Sequence, residues 1–151
     1  MTTRTPGTGA GAWVRLLRPH QWIKNVLVLV PLVASGLWSE AWAWAAAGLA
    51  FVAFCAVASA GYVINDLRDA DEDARHPTKR HRPLASGASP RAPAWVLAAA
   101  LAAAGLAVAA SVGTRLGLTT AVYLASTLLY SAVLKRLFVV DVIFLAGLYT
   151  L

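Results

Sequence analysis

Charge is what this sequence lacks. Asp, Glu, Lys and Arg make up only 13% of its 151 residues, against about 25% in an ordinary soluble domain. Acidic residues are the scarcest, seven against thirteen basic ones. The shortage excludes an ordinary charged, water-facing surface. With 59% hydrophobic residues and a mean hydropathy of +0.64, it points to a membrane. Cysteine is nearly absent too. The single Cys55 lies inside an apolar run, which excludes a disulfide framework and leaves it as a small packing residue.

What the sequence has instead is long charge-free runs. Ala41 to Asn65 is 25 residues, Ala92 to Thr114 is 23 and Leu116 to Leu134 is 19. Each approaches or exceeds the roughly 20 residues a helix needs to cross a bilayer core. A further span, about 21–38, carries Lys24 near its start, where the side chain can snorkel to the headgroups. Another opens near Leu137. The expectation is an all-α, polytopic transmembrane helical bundle with five spans, about 21–38, 41–64, 94–113, 116–134 and 137–151.

The formal charge of +6 does not point to nucleic acid, because of where it sits. With alternating spans, Arg4, Arg15, Arg18 and Lys24 share a face with Arg68, Arg75, Lys79, Arg80, Arg82, Arg91, Lys135 and Arg136. That puts twelve of thirteen basic residues on one side and only Arg115 opposite. This is the positive-inside pattern, and it predicts an integral protein of the cytoplasmic membrane with loop 65–91 in the cytoplasm.

Residues 1–12, rich in Thr, Gly and Pro, read as a disordered tail. A polar, Trp-bearing approach and several later spans argue against a cleaved leader. Trp13 to Asn25, WVRLLRPHQWIKN, reads as an interfacial helix that Pro19 breaks or bends. It either anchors the chain or turns Arg18, His20, Gln21, Lys24 and Asn25 towards a substrate cavity. Trp38, Trp42 and Trp44 form an aromatic belt after the turn at Gly36 to Glu40. The second span holds small residues, Gly48, Ala53, Ala56, Ser59, Ala60 and Gly61, that permit close helix packing.

Asn65 to Gly87, NDLRDADEDARHPTKRHRPLASG, is the exception to the apolar rule. It concentrates five of the seven acidic residues at the end of that span. Charge at a membrane edge is costly enough to mark a functional site. If the helix runs on, Asp69 and Asp73 fall within about 60° of Asp66 at about 100° per residue, so three carboxylates share one face. Like charges so spaced weaken a helix unless a cation is shared. Oxygen-only donors suit Mg²⁺, which bridges carboxylates to substrate phosphates. Asp66, Asp69 and Asp73 are therefore the candidate metal ligands. Arg68, Asp71 and Glu72 point elsewhere. His76-Pro77 ends the helix, and Lys79, Arg80 and Arg82 follow as a cationic loop suited to a diphosphate.

The third and fourth spans contain no ionisable side chain and read as packing. The fourth ends in Tyr130 to Arg136, YSAVLKR, where, taken alone, Tyr130 reads as a belt residue and Lys135 as an inner anchor. Asp141 lies about one turn into the fifth span, where it either pairs with Lys135 or Arg136 or faces the same cavity.

NDLRDADED followed by HPTKRHRPLASG resembles the first aspartate-rich motif of the UbiA superfamily of intramembrane prenyltransferases. LRPHQWIKN, YSAVLKR and VVDVIFLAGLYTL strengthen the resemblance, which covers Leu16 to Leu151. It is strongest to the bacterial branch that includes decaprenyl-phosphate phosphoribosyltransferase. The resemblance implies about nine transmembrane helices, of which five are present, around a cytoplasmic catalytic cavity open to lipid. It implies Mg²⁺ on Asp66, Asp69 and Asp73 with Asn65 in support, and phosphate binding by Lys79 and Arg82. It also implies that Tyr130 and Lys135 close over the leaving group. The family's second acidic motif lies beyond Leu151.

Two chemistries follow from the resemblance, both Mg²⁺-dependent. In one, a polyprenyl phosphate attacks phosphoribosyl diphosphate. In the other, a prenyl diphosphate alkylates an aromatic or other acceptor. A reading from another class is a non-catalytic half-bundle that packs against a partner. A homo-oligomer is compatible with the sequence. A transporter ranks last, since spans three and four lack the Pro breaks that line a path.

Overall fold

The computed structural model describes residues 9–132, and these are helical and irregular, with no strand among them. Helix α1 covers Ala10–Leu17, so helix begins inside the expected tail. It stops at Arg18, which takes φ 50 and ψ 58. The cause is local: the ring of Pro19 disfavours the right-handed helical region for the residue before it. The break therefore falls where Pro19 places it.

The first expected span is not one α-helix. Pro19–Leu29 winds as a 3-10 helix, and α2, Val30–Ser35, completes it as a short α-turn closed by Gly36 at φ 73. Eleven residues of 3-10 helix is long for this conformation, which rarely exceeds three or four. Prolines at 19 and 31 bound it, and the β-branched Ile23, Val26 and Val28 give little α preference.

Packing gives the tighter winding a use. In a 3-10 helix, residues three apart eclipse and rise about 6 Å, the same rise as four residues of α-helix. Trp22 Nε1 donates to Ser59 Oγ at 3.0 Å, and Asn25 Nδ2 donates to Cys55 Sγ at 3.3 Å. Steps of three on one strand of the pair thus match steps of four on its antiparallel partner. Ser59, 1% exposed, donates its own hydroxyl hydrogen bond to the Leu17 carbonyl at 2.9 Å and so caps α1.

Helix α3 is the spine, 33 residues from Ala41 to Asp73. Its apolar part and α4, Arg91–Val112, are each long and apolar enough to cross a membrane. Helix α5, Thr114–Ala132, follows after Gly113. The α3–α4 contact is built from small residues. Ala94, Ala98, Gly105 and Ala109 form the buried stripe of α4. A Cβ on Gly105 would stand 2.6 Å from Val57 Cγ2 and 2.9 Å from the Ala53 carbonyl oxygen. Only glycine permits that approach. Gly61 meets Thr127 of α5 in the same manner, with 3.0 Å to its Cγ2, whereas Gly48 faces open space. Trp38, Trp42 and Trp44 are all exposed.

Residues 65–73 of α3 project past the apolar run, and an independent core steadies them. Leu16 of α1, Val63, Leu67 and Ala70 of α3, Leu84 of the following loop, and Ala94 and Ala98 of α4 bury one another, with Trp13 and Ile64 alongside.

Candidate active site at the end of α3

The helix carries the acidic motif through to its last residue, Asp73, and the chain turns at Ala74, before His76-Pro77 is reached. Asp66 and Asp73, two turns apart, are both 3% exposed. Buried carboxylates require cationic partners. Arg82 supplies one to both: its Nη1 lies 2.7 Å from Asp73 Oδ2 and 3.3 Å from Asp66 Oδ1. Arg18 Nη2 donates to Asp66 Oδ1 at 2.6 Å while its guanidinium sits 5.1 Å from the centre of the Tyr62 ring. Lys79 Nζ stands at 3.9 Å from Asp73 Oδ1. Burial pushes the Asp66 carboxyl above its ordinary range; Arg18 and Arg82 oppose the rise and Asp73 adds to it.

Asp69 does not join this pair. Its Oδ2 accepts from Asn65 Nδ2 at 3.1 Å, and Asn65 Oδ1 accepts from Ser131 Oγ of α5 at 2.6 Å. The motif therefore presents two sides. Asp66 and Asp73 meet α1 and the loop; Asn65 and Asp69 are tied to the last turn of α5. Asp66, Asp69 and Asp73, the candidate Mg²⁺ ligands, are thus each engaged by side chains of this chain. Among the described residues no three of His, Cys, Asp and Glu gather as a metal site. The donors, all oxygen at the end of one helix, fit Mg²⁺ in kind. The arrangement leaves Asp66 and Asp73 in the grip of Arg82.

Other expected residues fall as follows. Lys79 and Arg82 contact carboxylates, because the loop folds back over the helix end. Asn25 turns to Cys55 on the apolar part of α3, away from residues 65–73. Lys24 is exposed beside it. Tyr130 is half-buried in the last turn of α5, next to Ser131. Asp71 is exposed and pairs with Arg91 of α4. Lys135, Arg136, Asp141 and the fifth span lie outside the described residues. Ser131 and the coupling of Arg18 to Asp66 were not singled out from the sequence. The first is an ordinary serine in an apolar span; the second needed the fold.

The model of the UbiA prenyltransferase family matches residues 25–151. The chain belongs to that family. Its helices are thus part of a membrane helical bundle. The UbiA chain is 42% identical over 145 residues to the decaprenyl-phosphate phosphoribosyltransferase of Mycolicibacterium smegmatis, covering 93% of this chain and 46% of that protein. It is 39% identical over 153 residues to the protein of the same name from Mycobacterium tuberculosis, covering 99% and 51%. It is also 42% identical over 134 residues to the nodulation protein NoeC of Azorhizobium caulinodans, covering 88% and 43%. The chain spans about half the length of these curated relatives.

Proposed function

We propose that the end of α3 is the diphosphate-binding part of a UbiA active site, and that the reaction is phosphoribosyl transfer from phosphoribosyl diphosphate to a polyprenyl phosphate. The observation that carries this reading is the sharing of one guanidinium, Arg82, by two buried carboxylates at the edge of a membrane helix. Such an arrangement is poised for exchange. An incoming diphosphate competes for Arg82 and Lys79 with charge-assisted hydrogen bonds, and the carboxylates they leave need a new cation. Asp66, Asp69 and Asp73, with Asn65 in support, would then hold Mg²⁺, which when bound neutralises charge on the leaving diphosphate.

The chain's own residues have the remaining tasks. Arg82 and Lys79 bind phosphate oxygens and stabilise the charge that grows as the bond to diphosphate breaks. Arg18, pinned over Tyr62, keeps Asp66 oriented. Ser131 and Asn65 hold Asp69 against α5, and Tyr130 and Lys135 would complete the wall over the leaving group. The acceptor's phosphate oxygen bonds to the anomeric carbon as the carbon–oxygen bond to diphosphate breaks, and diphosphate leaves with the electron pair. The phosphoribosyl version draws its support from the two mycobacterial relatives. The distribution of basic residues supports a site on the cytoplasmic side of a bacterial membrane.

The test is Mg²⁺-dependent binding of phosphoribosyl diphosphate and of a prenyl diphosphate to the detergent-purified chain, with Asp69→Ala and Asp73→Ala as controls. Binding of phosphoribosyl diphosphate that both substitutions abolish is the expected result. Preference for the prenyl diphosphate would move the reaction to alkylation of an aromatic acceptor. No binding by a folded, helical sample would favour the half-bundle that requires a partner.

A further inference from the structure

Beside the carboxylate pair, on its α1 side, lies a cavity of about 470 Å³ bounded by the end of α1, the start of the 3-10 helix and the loop after α3. Arg15, Arg18, His20, His81 and Arg82 line it, with Asp66 as its one acidic residue. The charge does not balance. Three guanidinium groups meet one lining carboxylate, which already accepts from Arg18 and Arg82, while Asp73, outside the lining, takes the shorter contact of Arg82. Arg15 has no acidic partner among the described residues. Pro19 and Pro83 stiffen two of the walls. Arg18, half-exposed and in a left-handed conformation that a non-glycine residue adopts at a cost, brings its guanidinium to this cavity.

With Asp73 counted against Arg82, the cavity keeps a surplus of one guanidinium charge, that of Arg15, and repels a metal ion. It suits a small dianion. A phosphate monoester carries close to two charges near neutral pH and several strong acceptor oxygens. Asn65 and Asp69 are directed instead to α5, so the cavity and the Asp69 side of the motif are separate.

We propose that this cavity binds a phosphate monoester, a second phosphate beside the diphosphate that the acidic motif takes, with Arg82 common to both. Which molecule brings it rests on the reading of the previous section. Alkylation of an aromatic acceptor has no use for a second phosphate. Phosphoribosyl transfer has two sources of one: the phosphate of the lipid acceptor and the 5-phosphate of the ribose. A second phosphate site on this chain therefore selects between the two chemistries.

The experiment titrates inorganic phosphate into the chain held in neutral phosphatidylcholine nanodiscs, following the melting temperature and the heat of binding. Arg15→Gln and His81→Gln, singly and together, are the variants; both residues are exposed and neither holds an ion pair among the described residues, so helical content by circular dichroism is expected to be unchanged. The double variant is expected to weaken phosphate at least about tenfold, as loss of one or two charge-assisted hydrogen bonds implies. Mg²⁺-diphosphate binding is expected to stay within about twofold. Asp69→Ala should do the reverse, so failure of the diphosphate site and failure of this site are separable. Competition by ribose 5-phosphate, or by dodecyl phosphate placed in the nanodisc, identifies the source. Equal phosphate affinity in wild type and double variant, absence of phosphate binding, or one-for-one displacement of phosphate by diphosphate would overturn the proposal.

Discussion

One helix, α3, is held in two different ways along its length. From Ala41 to Ile64 it is fixed by closeness: Ala53 and Val57 lie against Gly105, and Gly61 against Thr127. From Asn65 to Asp73 it is fixed by charge: Arg18, Arg82 and Lys79 neutralise Asp66 and Asp73. The apolar part has one packing and no alternative partner in lipid. The polar tip has partners that a ligand can replace. Rigidity and exchangeability are thus assigned to different stretches of the same element, with the second carried on the first. Removing Arg82 should break the comparison most severely. Losing one partner of a buried ion pair costs about 3–5 kcal/mol. Arg82 is 30% exposed in its side chain, and Arg18 remains on Asp66, which places Arg82→Ala at about 3 kcal/mol. Thermal melts of the solubilised protein would measure it. A double change, Arg82→Ala with Asp73→Asn, should recover much of the loss, and no recovery would mean that Arg82 acts by packing.

The matching change in the apolar part is Gly105→Ala. Its Cβ would meet a carbonyl at 2.9 Å as well as a side chain at 2.6 Å, so shortening Val57 relieves only one clash. Overpacking of this kind costs about 1–3 kcal/mol. The loss should be insensitive to salt, whereas the loss at Arg82 should vary with it. Equal salt dependence of the two variants would remove the distinction between the two stretches.

Much of this was legible in the sequence, for identifiable reasons. Charge-free runs mark α3 and α4 whatever their neighbours do, and the Asp spacing allows the helix to be followed to Asp73. The break before Pro19 is a property of two adjacent residues. What was not legible depends on chain segments meeting. A run such as residues 21–38 reads as a span by hydropathy whether it winds as α or 3-10, and its actual winding matches the step between Ser59 and Cys55 on α3. The division of the motif into Asp66 with Asp73 and Asp69 with Asn65 follows from the loop carrying Arg82 back over the helix end. No helical wheel contains that loop.

Where the two regimes meet, Ser59 offers a sharper test of smaller size. Ser59→Ala leaves the Trp22 indole N–H and the Leu17 carbonyl without their shared partner. An unmade buried hydrogen bond costs about 1–3 kcal/mol, and two partially exposed groups sharing one hydroxyl place this near the lower end, about 1 kcal/mol. Because Arg18 directly follows α1, the substitution should also loosen the hold on Asp66. Hydrogen exchange of the amides around Leu16 and Leu17 would report it. Unchanged protection there would disconnect the α1 anchor from the charged tip.

The smallest expected effect is at the outer edge of the tip, where Asp71 pairs with Arg91. Both side chains are well exposed, 76% and 52%, and solvent and salt screen the pair. The hydrogen bond from Arg91, then its charge, hold the Asp71 carboxyl below its ordinary value. A carboxylate depressed in the folded state stabilises above the unfolded value of about 3.9, and the contribution is lost as pH falls through the folded one. Arg91 also opens α4, where its cation opposes the helix dipole and offsets part of what the pair with Asp71 contributes, so the net effect is small. Arg91→Ala should therefore lower the melting temperature slightly at pH 7 and low salt, and the difference from wild type should shrink below about pH 4. Above physiological ionic strength it should vanish. A difference of the same size at both pH values would show that Arg91 contributes through its aliphatic stem, and the polar tip would then end at Asp73 rather than extend to α4.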